Sequence, residues 1–182
     1  MATLESERSA LVVVDVQERF RDLIHEMPAV IAGCSRLIRF CARLGIPVLV
    51  TEQYPAGLGR TVAELVEVLP EHTPLEKLTF SCCGDEGFAR AVQALGREQF
   101  LVCGIETHVC VYQTVRDLLA SGHPVAVAAD AVSSRRVRDK DVGLARLRDL
   151  GAQIMTVEMI LFEILGRAGT PDFKRVADIL KE

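Results

Sequence analysis

A chain of 182 residues is long enough to bury one full hydrophobic core and short for two, so residues 1–182 are expected to form one domain. With 49% hydrophobic and 25% charged residues and a net charge of −4, the composition is that of an ordinary globular protein and offers polyanions no general attraction. Nucleic acid is therefore not expected as a partner, and no apolar run approaches the roughly 20 residues that a membrane helix needs.

The N-terminal stretch from Met1 to Arg8 has neither a basic n-region nor an apolar h-region, which gives an expected cytoplasmic location. Beyond it, short Val- and Ile-rich runs alternate with longer segments of helical spacing, the pattern of a parallel sheet covered on both faces. The spacing predicts strands over Ala10 to Asp15, Pro47 to Glu52, Pro74 to Lys77, Gln99 to Gly104, Pro124 to Ala129 and Gln153 to Thr156. It predicts helices over Pro28 to Leu44, Val62 to Leu69, Asp85 to Leu95, Thr107 to Ser121 and Asp139 to Leu150, with Gly45, Gly96, Gly122 and Gly151 as stops. The tail from Pro171 to Lys181 places Phe173, Val176, Ala177 and Leu180 at helical intervals, a face that packs back on the domain or meets another subunit. Right-handed crossovers then give an α/β fold: a single three-layer, doubly wound domain with a six-stranded parallel sheet in the order 3-2-1-4-5-6 and helices on both faces.

In such a sheet, ligands bind outside the carboxyl ends of the strands at the switch point between the first and fourth strands. Asp15 ends the first strand there. Cys110 follows the fourth, in Gly104-Ile105-Glu106-Thr107-His108-Val109-Cys110-Val111, where an apolar run ends in Gly and passes into helical spacing. The unpaired N–H groups of a helix's first turn favour a thiolate or a developing oxyanion at such a place. A buried structural thiol is the plainer reading of any single cysteine, and it is the one adopted for Cys34, Cys41, Cys82, Cys83 and Cys103, which follow no metal-knuckle or disulfide-framework spacing. Cys82 and Cys83, just beyond Lys77, are the pair in which redox sensitivity is worth checking. What separates Cys110 is its company: Asp15, and Lys77 in Leu75-Glu76-Lys77-Leu78-Thr79-Phe80 at the end of the third strand. The basic cluster Arg135, Arg136, Arg138 and Lys140 is interrupted by Asp139 and reads as a solvated helix entry.

These residues, with Asp130-Ala131-Val132-Ser133-Ser134, resemble the isochorismatase-like cysteine hydrolases over nearly the whole chain, a family that cleaves small amides through a Cys thioester. The resemblance implies a triad of Asp15, Lys77 and Cys110, a non-proline cis peptide between Ile105 and Glu106, and an oxyanion hole made by the backbone N–H groups of Glu106 and Cys110. It also implies a small-molecule substrate and a homo-oligomer, dimer or tetramer. Elementary chemistry agrees with the triad, because a thiol with a reference pKa of about 8.5 needs a base or a positive field to become nucleophilic near neutral pH. Asp15 can be the base. A cation at Lys77 orients it and favours the thiolate, while a partly dry crevice raises the carboxylate, so the two effects oppose each other. Phe20, Tyr54 and Phe80 are candidate walls of a small pocket, with ordinary packing as the alternative.

Nicotinamidases of that family carry a metal-binding Asp-x-His arrangement after the second strand, where this chain has Thr51-Glu52-Gln53-Tyr54-Pro55-Ala56-Gly57-Leu58-Gly59. That stretch looks like the isochorismatase-domain-containing branch. His25, His72, His108 and His123 are scattered, so neither a metal nor a cofactor is expected, and nicotinamide is a poor candidate substrate. Isochorismatase itself opens a vinyl ether without a nucleophilic Cys, so Cys110 favours a small amide-type C–N bond. The alternative from another class is a non-enzymatic scaffold with an idle triad. A nucleotide-binding domain is opposed by Asp15-Val16-Gln17-Glu18-Arg19-Phe20, which lacks the Gly-rich turn that lets a pyrophosphate approach the backbone.

Overall fold

The structure, a computed structural model, describes residues 3–70 and 73–182, so Met1, Ala2 and His72 of the sequence reading lie outside the described residues. Among these residues the strands β1 (Ser9–Val14), β2 (Val48–Gln53), β3 (Leu75–Lys77), β4 (Gln99–Ile105), β5 (Val125–Ser133) and β6 (Gln153–Met155) form one six-stranded sheet. All pairings are parallel and the order is β3-β2-β1-β4-β5-β6, so the doubly wound α/β fold read from the sequence is the observed one.

Every residue of β1 and of β4 is buried, because side chains alternate between two covered faces. Leu11, Val13, Leu101 and Cys103 point to one face, where α1 (Met27–Leu44) presents Val30, Cys34, Leu37 and Cys41 at helical intervals. Ala10, Val12, Phe100 and Val102 point to the other, against Phe88 of α4 (Glu86–Leu95), Val115 and Leu118 of α5 (Tyr112–Ala120) and Leu147 of α6 (Val137–Asp149). The Asp85 carboxylate caps α4 by accepting from the Gly87 and Phe88 amides, and Gly45, Gly96, Gly122 and Gly151 all take positive φ at chain reversals. Among the described residues no helix is long and apolar enough to cross a membrane.

The structure differs from the sequence reading in four places. Strand β5 runs to Ser133 rather than Ala129: after a register shift, Val132 and Ser133 pair with Gly104 and Ile105, and the polar Asp130 within the run conceals this continuation. That Asp130 accepts from the Val157 amide at the start of α7 (Val157–Leu165), a helix that the sequence reading lacks because its apolar residues merge with those of β6. Among the described residues between β2 and β3 lie two short helices, α2 (Pro55–Leu58) and α3 (Ala63–Val66). The segment expected as one helix from Thr107 begins instead as a π-type turn, Thr107–Val111, before α5. The tail forms α8 (Pro171–Arg175) and a final turn, and buries Val176 and Ile179 against the α1 side of the sheet.

Candidate active site

Three strand ends converge at the switch point. Asp15 follows β1 with φ 52, a left-handed conformation that Asp tolerates better than most residues, and its side chain turns into the interior at 1% exposure. Lys77 ends β3, whose register sets Lys77 beside Gln53, and it is 4% exposed. Its Nζ donates to Asp15 Oδ2 at 2.7 Å and to Gln53 Oε1 at 2.8 Å, with the carbonyls of Thr79 and Phe80 at 3.2 and 3.3 Å. Four acceptors thus surround three ammonium hydrogens. The other Asp15 oxygen, Oδ1, accepts from Thr51 Oγ1 at 2.7 Å, so the carboxylate is held at both ends.

Cys110 sits in the π-type turn, 7% exposed, and lines the same cavity as Asp15. Burial pushes the thiol well above the usual cysteine range, the Asp15 charge pushes it further, and the opposing pull of Lys77 is outweighed. The sequence reading had Lys77 favouring the thiolate. Here that cation is turned onto Asp15, and Cys110, with its pKa raised, is a neutral thiol. Burial likewise works against the Lys77 ammonium, but the negative charge of Asp15 and its hydrogen bond hold the amine above the ordinary lysine value. Burial also pushes Cys82 up to about 12 and Cys83 up to about 11, which leaves both as protonated thiols near neutral pH.

The Ile105–Glu106 peptide bond is cis. From there the chain folds back on itself, the Glu106 carbonyl accepting from Val109 and Val111. The Glu106 carboxylate, to which the sequence assigned nothing, accepts from the backbone N–H and the Nε of Arg135 at 2.9 and 3.1 Å, tying the Cys110 turn to the loop after β5.

A cavity of about 110 Å³ opens beside Asp15 and Cys110, and Phe20 and Phe80 both line it. Tyr54 does not. It stands 53% exposed over Gly57 and lines a neighbouring depression of about 760 Å³ with Leu78, Arg60 and Glu76, because its left-handed backbone (φ 38) turns the chain outward ahead of Pro55. The cavity roof is the segment 54–60, fixed by two buried polar side chains. Gln17 bonds the backbone of Gln53 on both sides and donates to the Gly59 carbonyl, while Glu52 accepts from the amide and hydroxyl of Thr61 at 2.7 and 2.8 Å and from Arg60.

Burial works against the Glu52 carboxylate, yet the hydrogen bonds from Thr61 and Arg60 prevail and hold it below the usual range. A depressed carboxylate stabilises the fold above its unfolded pKa, about 4.3 for Glu, and loses that contribution as pH falls through the folded value. We expect the segment 54–61 to lose hydrogen-exchange protection below about pH 4.3 while β1 and β4 stay protected. In Glu52→Gln the same segment should be less protected at neutral pH and show no such acid step; an unchanged acid step would show that another group is responsible.

Thr51, Glu52, Gln53 and Gln17 were missed by the sequence reading, although three consecutive polar residues ending a buried strand are themselves a signal of a crevice. Among the described residues no group of three or more His, Cys, Asp or Glu side chains is placed to hold a metal.

The chain is similar to known proteins over nearly its whole length. The family model described as isochorismatase domain matches residues 9–159. The isochorismatase domain-containing protein 2 of Danio rerio is 39% identical over 179 residues, 97% of this chain and 89% of its own. The secreted isochorismatase effector Isc1 of Phytophthora sojae is 40% identical over 178 residues, covering 96% and 85%. Among solved structures, a protein described as MAR1 ribonuclease from Caenorhabditis elegans superposes with a TM-score of 0.94 at 38% identity, over 100% of this chain and 93% of that one. The matched span includes both strand ends that carry Asp15 and Lys77 and the turn that carries Cys110, and the chain belongs to the isochorismatase family.

Proposed function

We propose that this protein is a cysteine hydrolase that opens a small amide C–N bond through a thioester on Cys110, without a metal. One observation carries the reading: a buried carboxylate, Asp15, is held by Lys77 and Thr51 and lines the same small cavity as the Cys110 thiol. Lys77 already supplies positive charge beside that carboxylate, and Glu52 is occupied by Thr61 and Arg60.

Asp15 takes the Cys110 proton as sulfur attacks the carbonyl carbon, so the thiolate need not exist before substrate arrives. The tetrahedral oxyanion is received by the Glu106 and Cys110 backbone N–H groups, a contribution typically worth about 10² to 10³ in rate per donor. Asp15 then returns the proton to the leaving amine. Water, deprotonated by the same carboxylate, hydrolyses the thioester and restores the thiol.

The test is acid-quench intact mass spectrometry during turnover of small primary amides, with peptide mapping. An acyl adduct on Cys110, absent together with ammonia release in Cys110→Ala, is the expected result. Amide hydrolysis that persists in Cys110→Ala would overturn the mechanism. A folded protein that forms no adduct with any amide would favour the idle scaffold, and RNA cleavage surviving Cys110→Ala would favour the activity for which the C. elegans relative is named.

A further inference from the structure

The cavity beside Cys110 is small, and five of the side chains around it, Phe20, Leu58, Phe80, Ile105 and Val109, are apolar. About 110 Å³ is well under the roughly 300 Å³ at which ordinary ligand pockets begin, and at water's liquid share of roughly 30 Å³ it holds about four waters. An acyl group of about three to five heavy atoms fills that space.

The charges nearby are already engaged. Lys77 spreads its three hydrogens over Asp15, Gln53 and two carbonyls. Arg60, at the neighbouring depression, bridges Glu52 and Glu76, and Arg135 is held by Glu106. No Lys, Arg or His is among the described residues that line the cavity, and the two charged residues that do line it, Asp15 and Glu106, are acidic. A substrate carboxylate placed there would lose its hydration, gain no partner, and face Asp15.

From this cavity, and resting on the thioester reading above, we infer that the substrate is an uncharged primary amide with a short, branched or linear aliphatic acyl group. A primary amide releases ammonia, so all its carbon stays on the acyl side and must be housed beside Cys110. The balance is complete: RC(O)NH₂ and the Cys110 thiol give the RC(O)–S thioester and NH₃, and water then gives RCOOH and the free thiol. The polar acid product is poorly held by the apolar walls, which aids its release.

The experiment measures acylation of Cys110 by the p-nitrophenyl esters of isobutyrate, monosuccinate and 1-naphthoate, each corrected for its rate with hydroxide and located by peptide mapping. The variant Leu58→Lys, on the partly buried roof, is run alongside. We expect isobutyryl transfer to exceed succinyl and naphthoyl transfer by at least tenfold in the wild type, and Leu58→Lys to raise the succinyl rate relative to the isobutyryl rate. Equal or faster acylation by the succinyl or naphthoyl ester in the wild type overturns the substrate class and leaves the thioester reading standing. No acylation of Cys110 by any of the esters overturns the thioester reading, and the substrate class with it. The wild-type panel decides even if Leu58→Lys fails to fold, and a folded Leu58→Lys with an unchanged succinyl preference would count against the cavity as the acyl site.

Discussion

Lys77→Met is expected to lower acylation of Cys110 by about 10² to 10⁴ and to destabilise the fold by about 3 to 5 kcal/mol, the usual cost of removing one partner from a buried ion pair. Both effects have one cause. Asp15 is buried with its two oxygens held by Lys77 and Thr51, and without the ammonium its negative charge has neither water nor a cation. Without Lys77 nothing holds Asp15 Oδ2 in place, and a misplaced carboxylate cannot take the Cys110 proton. The double variant Asp15→Asn/Lys77→Met separates the two consequences: with no buried charge left it should recover most of the stability and none of the activity. Urea unfolding and ester acylation of wild type, Asp15→Asn, Lys77→Met and the double variant measure the cycle. A pH series adds a sign. Because Lys77 is held above its unfolded value, its contribution is fully present below about pH 10.4 and is lost as pH rises through the folded value, so wild type should lose stability there and Lys77→Met should not. A double variant no more stable than Lys77→Met would show that packing around the methylene stem, rather than the uncompensated charge, sets the cost.

The sheet order was legible because β1 and β4 read as unbroken apolar runs and the long helices between them, α1 and α4, end at Gly45 and Gly96. The meeting of Asp15 with Cys110 followed from topology: distant in sequence, they follow strands β1 and β4, which right-handed crossovers place side by side. Two kinds of information were not legible. One was the winner among opposing electrostatic effects at Cys110, which depends on depth of burial and on where the Lys77 hydrogens point, and neither is encoded in residue identity. The other was the polar framing: Gln17 and Glu52 bond backbone groups in a loop of irregular geometry, and Thr51 and Gln53 meet Asp15 and Lys77 across neighbouring strand ends. Tyr54 shows the same limit. Its aromatic character suggested a pocket wall, but a left-handed residue ahead of a proline turned it to the neighbouring depression.

Gly104→Ala should destabilise the protein by more than about 4 kcal/mol and leave little soluble folded chain, although the substitution adds one methyl group. Gly104 has φ 110, where an L side chain is strained, and it pairs with Val14 one residue before Asp15. A Cβ there would lie 2.7 Å from the Val14 amide nitrogen and closer still to its carbonyl oxygen, and both belong to the backbone of a central strand that cannot step aside. Gly143 makes an informative contrast. It lies in α6 against the Cys110 turn, where a Cβ would stand 3.1 Å from Thr107 Cγ2 and 3.3 Å from the His108 backbone, close enough to push but not to forbid. Ala in place of an interior helical Gly gains about 1 kcal/mol of propensity, which offsets the crowding, so Gly143→Ala should keep its Tm and lose acylation rate as the turn shifts by a few tenths of an ångström. Thermal unfolding and ester acylation of the two variants together distinguish the strand crossing that makes the site from the helix that aims it. If Gly104→Ala folds with a Tm within a few degrees of wild type, β1 and β4 do not approach as closely as this argument requires.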